Sequence, residues 1–452
     1  MQRQHSNRRG AVVAAAVLVG VGACGSGDGG GDAGGPAGDG TLTIATVSNA
    51  DAERMQELSE HFAAGHPDVD LEWVTFEENE LRQRVTTDIA TDAGQFDVVM
   101  LGTYEVPIWA EREWLVPLDS LPDEYAVDDL LPSIREALSY EGTPHALPFY
   151  GESAFTMYRT DLFDQAGLEM PEAPTWEFLK EAAATLGEQG DAAGICLRGK
   201  PGWGENVAFL TAMANSHGGS WFDMDWTPQF DTEPWQTTIA DYVALGEYAP
   251  PGAEENGYAE NLELFAAGEC AIWVDSTAAA SYISDPDQSE VADSVGFALA
   301  PDAGQGKRSN WLWAWALAVP ESSAQHEDAL AFVAWATSSE YTELVAQEYG
   351  WLQAPPGTRT SLYENPDYQQ AAPFAGLALE SIETADPANP TDNEVPYTGI
   401  QYVGIPEFQS IGTAVGGRFS LALAGDITVD EALTESQWVT DQVIERTRFI
   451  EE

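Results

Sequence analysis

A chain of 452 residues exceeds one ordinary domain and fits two or three. Its 44% apolar and 10% aromatic content supports real hydrophobic cores and excludes global disorder. With 18 basic residues against 75 acidic ones the net charge is −57, a field that repels phosphate backbones and anionic headgroups. Nucleic-acid binding is set aside on that ground, and the dispersed acid excess reads as a solubilising surface.

Arg3, Arg8 and Arg9 precede an apolar run from Ala11 to Val21, which meets Gly22, Ala23 and Cys24. That order predicts a secretory signal over 1–24. The run is shorter than the roughly 20 residues a membrane-spanning helix needs. Val21-Gly22-Ala23-Cys24 resembles a bacterial lipobox, which implies a lipidated Cys24 anchoring an exported protein to the outer face of the cell membrane. Residues 25–40 are nearly all Gly, Asp, Ala, Ser and Pro, a tether with a reach of about 20–24 Å.

The body then alternates. Thr41 to Val47 reads as a strand ending at Ser48-Asn49, and Asp51 to Ala64 as a helix with Met55, Leu58 and Phe62 on one face. Val69 to Thr75 is a second strand, Glu80 to Ala93 a second helix and Phe96 to Leu101 a third strand. This order predicts a parallel sheet with ligand groups beyond its carboxyl ends, which puts Asn49, Glu78 and Tyr104 on one rim. The Pro148 region reads as a crossing into a second alternating set. That set runs through Gly194–Leu197, a helix over 206–214, Cys270–Val274 and Val295–Pro301. Trp313 to Pro320 is expected to return to the first lobe, followed by a helix over 326–337. Cys196 and Cys270, an even pair in an exported chain, predict a disulfide.

Motifs for a nucleophile elbow, a zinc protease helix and a P-loop lysine are lacking. Asp223 and Asp225 have calcium-loop spacing without the following glycine and glutamate, so no metal and no cofactor are expected. The 15 tryptophans carry the stronger signal. Trp203 shares a glycine-rich loop with Arg198 and Glu205. Trp273 and Asp275 alternate onto one face of a strand, as do Trp311, Trp313 and Trp315. Aromatic faces beside carboxylates, arginine and amides suit a hydroxyl-rich ligand, whose C–H groups stack and whose hydroxyls both donate and accept. Trp203, Trp273 and Trp311 are expected to touch ligand, and Trp176, Trp315 and Trp335 to pack.

Longer strings fix the resemblance. Leu81–Thr91, Gly94–Val99, Tyr104–Trp109, Ala146–Glu152, Gly194–Gly199, Asn310–Ala316, Pro355–Tyr363 and Gly399–Phe408 resemble the extracellular solute-binding lipoproteins of ABC importers, in the sugar-binding branch and nearest its sorbitol/mannitol-type polyol binders. The resemblance implies an α/β, bilobal periplasmic-binding-protein-like fold of type II. Lobe one would combine 41–147 with 302–338, and lobe two 148–301 with 339–452. It implies a monomeric binding protein rather than an enzyme, capturing a polyol between its lobes for membrane permease subunits. On the residues themselves, Glu78, Glu152, Arg198 and Asp275 are the expected hydroxyl clamps. Asn49, Tyr104 and Tyr150 would add polar contacts, with Arg359 a further candidate. Two other readings stay open here: a receptor for a mono- or disaccharide, and a surface-anchored glycosidase with paired carboxylates.

Overall fold

The computed structural model describes residues 40–451, with side chains described through 447. The signal segment, Cys24 and the tether up to 39 lie outside the described residues.

Strands β1 (Thr41–Val47), β2 (Asp70–Phe76) and β3 (Val98–Gly102) pair in parallel, joined by helices α1 (Ala50–Gly65) and α2 (Glu78–Ala90). β3 is buried along its whole length at the centre of its sheet, which suits a sequence that is uninterruptedly apolar up to Gly102. A short hairpin, β4 (Ser139–Tyr140) and β5 (Thr143–Pro144), precedes β6 (Leu147–Glu152) and β7 (Ala154–Arg159). β8 (Ile272–Ser276), β9 (Val295–Leu299) and β10 (Trp313–Ala318) complete the strands. The larger sheet runs β2-β1-β3-β10-β6, and the smaller runs β8-β7-β9.

β10 does return to the first sheet, but antiparallel to both β3 and β6. The smaller sheet is antiparallel throughout, so the second alternating set does not repeat the parallel pattern of the first. β6 also belongs to the larger sheet, so the crossing falls at Ser153 between β6 and β7, and the boundary at 147/148 lies one strand early. The boundary after 338 is early too. Tyr341 still packs on Phe149 and Trp335, and Arg359 bridges to Leu130 in the first lobe. Farther on, the helix Ala375–Glu383 is seated on β7 and β9, and the helix Phe408–Leu423 packs on the helices Asn206–Ser216 and Glu233–Gly246 of the second lobe.

Cys196 and Cys270 form a disulfide. Gly194–Leu197 is an extended segment rather than a strand, held to β8 by a bridge from Cys196 to Trp273. The helix Asn206–Ser216 is buried on every face, consistent with its near-continuous run of small and apolar residues.

Candidate ligand cleft

A cavity of about 590 Å³ opens between the two sheets at the carboxyl ends of β1 and β2. Asn49, Glu78, Tyr150, Glu152, Arg198, Trp203 and Trp311 line it.

Local structure sets each of these side chains. Asn49 caps α1: its Oδ1 accepts the Ala52 amide at 2.9 Å, which turns Nδ2 toward the Tyr150 hydroxyl, also 2.9 Å away. Glu78 opens α2 one turn before Arg82, and Arg82 donates to it from Nη2 at 2.9 Å. Arg82 Nη1 donates to Glu105 at 2.7 Å, and Glu105 in turn accepts the Gly102 amide. Burial pulls the Arg82 guanidinium down, but Glu105 and Glu78 outweigh it and hold it above its ordinary value. The same cation lies 4.1 Å from the Trp203 ring centre and 4.9 Å from those of Trp313 and Trp315.

Arg198 faces it from the second lobe. Its Nε and Nη2 grip both Asp275 oxygens at 2.8 and 2.6 Å, and Nη1 donates to the Gly204 carbonyl at 2.9 Å. Burial again works against the charge, and Asp275 followed by Glu205 more than restores it. Glu152 accepts the Ser276 hydroxyl at 2.5 Å, and burial pushes its carboxyl up to about 7. Burial and neighbouring Glu78 push Glu205 up as well, against the pull of Arg198 and Lys200.

The lobes meet over α2. Lys200 of the second lobe donates to Glu77 of the first at 2.7 Å. Gly204 lies so close to α2 that a Cβ there would stand 2.5 Å from Glu78 Oε1, so any side chain at this point of the loop would displace the Glu78 carboxylate. Trp203 reaches across to the Tyr104 and Trp313 rings, with centroids 4.7 and 6.0 Å away.

Four expected contacts lie outside the cavity wall. Tyr104 is buried under Trp203, and its hydroxyl donates to the Ile405 carbonyl at 2.8 Å. Trp273 and Asp275 are fully buried one layer behind the wall. The indole N–H donates to Asp275 at 3.0 Å, so both act by holding Arg198. Arg359 is buried too, donating to the Tyr125 and Thr337 carbonyls at 3.0 and 3.2 Å. Its cation ties the late crossing to the first lobe.

Other residues line the cavity unannounced. Trp315, expected to pack, is on the wall with Trp311 and Trp313, since alternation puts all three on one face. Arg82, Lys200, Glu205, Tyr258 and Gln401 join them. The Glu78-to-Arg82 spacing of one helical turn was the available signal for Arg82. Tyr258 sits on a segment without any local motif, and Gln401, though inside the Gly399–Phe408 string, has no spacing that marks it for the site. Among the described residues no cluster of three or more His, Cys, Asp or Glu could hold a metal ion.

Comparison with known proteins agrees with this architecture. Residues 45–343 match the family of bacterial extracellular solute-binding proteins. A mannitol-binding protein of Pseudomonas aeruginosa is 53% identical over 412 residues, covering 90% of this chain and 94% of that protein. A crystal structure of an ABC transporter solute-binding protein from Agrobacterium vitis S4 with bound D-mannitol is 56% identical, with a TM-score of 0.89 over 90% of this chain and 99% of that one. A ribitol complex from Agrobacterium radiobacter K84 is 25% identical, with a TM-score of 0.79, and spans 90% of this chain and all of its own.

Proposed function

Since the chain belongs to the bacterial extracellular solute-binding proteins, we propose that it captures an open-chain polyol, D-mannitol first among them, for an ABC importer. Family and relatives bind solutes rather than transform them, which sets the glycosidase reading aside. Two relatives, each more than half identical over nine-tenths of this chain, are a mannitol-binding protein and a mannitol complex. The observation that carries the reading is the composition of the cavity. Two buried cations held by carboxylates stand on opposite lobes, with tryptophan faces between them.

A flexible polyol offers little flat C–H surface and many hydroxyls, so charged and polar groups supply most of its affinity. A volume of about 590 Å³ is in the usual range for a small-molecule site. Because the wall draws on both lobes, a bound ligand joins groups that separate when the lobes part, and it therefore favours the closed form. The closed form would then dock on membrane permease subunits. Within this reading Cys24 carries the lipid, residues 25–40 serve as the tether, and the protein works as a monomer at the outer face of the membrane.

Thermal shift across hexitols, pentitols, aldoses and disaccharides tests the proposal. At a hundredfold excess over Kd a specific ligand adds about 2.7 kcal/mol, whereas a non-binder adds nothing. A shift with hexitols and none with disaccharides is expected. A disaccharide that outranks every polyol would overturn the assignment.

A further inference from the structure

Each polyol hydroxyl needs a donor as well as an acceptor. Acceptors abound in the cavity, with Glu78, Glu152 and Glu205 on its wall. Donors are scarcer. Each nitrogen of Arg82 gives one N–H to Glu78 or Glu105, and each of Arg198 one to Asp275 or the Gly204 carbonyl, which leaves only two of the five N–H groups of each guanidinium for a ligand. Lys200 is held by Glu77, with Glu205 also within 3.4 Å.

Tyr258 stands apart from these. It opens the helix Tyr258–Ala266, where its amide donates to Glu205 at 3.2 Å. Its ring packs on the buried Trp273, centroids 5.8 Å apart, and sits 5.4 Å from the Arg198 guanidinium. The ring is thereby fixed on two sides and at its backbone. Its hydroxyl lines the same cavity yet makes no hydrogen bond with any described residue. The charged groups around it are Glu152, Asp275, Asp51 and Arg198, and burial together with the three carboxylates pushes the phenol well above its ordinary value. It therefore remains a neutral donor throughout the physiological range.

We infer that the Tyr258 hydroxyl is a specificity-determining ligand contact, donating from the second lobe to a hydroxyl oxygen of the bound polyol. This deepens, and rests on, the polyol reading given above. It also gives the second lobe a neutral hydrogen bond to the ligand that forms only when the cleft is occupied.

Tyr258→Phe removes one oxygen and keeps the ring over Arg198. Titration calorimetry with D-mannitol should show about tenfold weaker binding in the variant, the scale of one neutral hydrogen bond. The melting temperature without ligand should be unchanged, because the hydroxyl has no protein partner to lose. Affinity within twofold of wild type overturns the inference while leaving the polyol reading intact. A weaker affinity accompanied by an equal loss of unliganded stability also overturns it, since that marks a structural hydroxyl. A wild-type protein that binds no polyol refutes the underlying reading instead.

Discussion

Replacing Arg198 by leucine should damage stability and capture together, and a second substitution should separate the two. Arg198→Leu strands the Asp275 carboxylate, which has no exposure to water and keeps only the Trp273 indole N–H and the Ser276 amide. Breaking a buried pair in this way costs about 3–5 kcal/mol. Unfolding entropy of about 2 cal/mol/K per residue, over about 400 ordered residues, makes each kcal/mol worth close to one degree, so a fall of about 3–6 °C is expected. Adding Asp275→Leu removes the stranded charge and should recover at least half of that loss. The orphaned indole and amide prevent full recovery, at about 1 kcal/mol each. Affinity stays lost in both variants, because the cation on the cavity wall is gone. Differential scanning calorimetry with and without D-mannitol reads both quantities. A single variant melting within one degree of wild type, or a double variant with wild-type affinity, would refute the reasoning.

Glu152 sets a pH dependence. Its carboxyl, lifted by burial from the ordinary 4.5 to about 7, keeps in the folded protein a proton that the unfolded chain gives up. Its contribution is therefore full below about 4.5 and is lost as pH rises through about 7, so Glu152→Gln should gain about 2–3 °C on wild type across that window. An unchanged difference in melting temperature between pH 4.5 and 7.5 would contradict the assignment. The Cys196–Cys270 bridge spans 74 residues of chain, and its reduction should cost about 4 kcal/mol, read as a lower melting temperature under reductant. At the cleft mouth the Lys200–Glu77 pair is partly exposed, so Lys200→Gln should weaken capture about two- to fivefold in low salt and hardly at all in molar salt.

Much of the fold was readable because local signals agree with it. β1, α1, β2, α2 and β3 follow from period-two and helical spacing, and Asn49 marks the start of α1 as a capping residue. The direction of β10 and the lobe of β6 were not readable, since a short apolar run carries no information about its partner strand. The cavity divides along the same line. Residues at strand ends or in the 198–205 loop, such as Asn49, Glu78, Arg198 and Trp203, are on its wall. Trp273 and Asp275 misled because alternation places them on the same face, but not whether that face meets ligand or another side chain. They face Arg198, one layer back. Tyr258 and Gln401 reach the wall through tertiary packing alone, from segments far apart in the chain.

The account stands on reversible trapping of a small polyhydric molecule by two facing lobes. Titration of D-mannitol into the purified protein, with chemical analysis of the ligand recovered afterwards, measures this most directly. One saturable site per chain and mannitol returned intact are predicted. No binding heat from any alditol, or recovery of a transformed product, would contradict it.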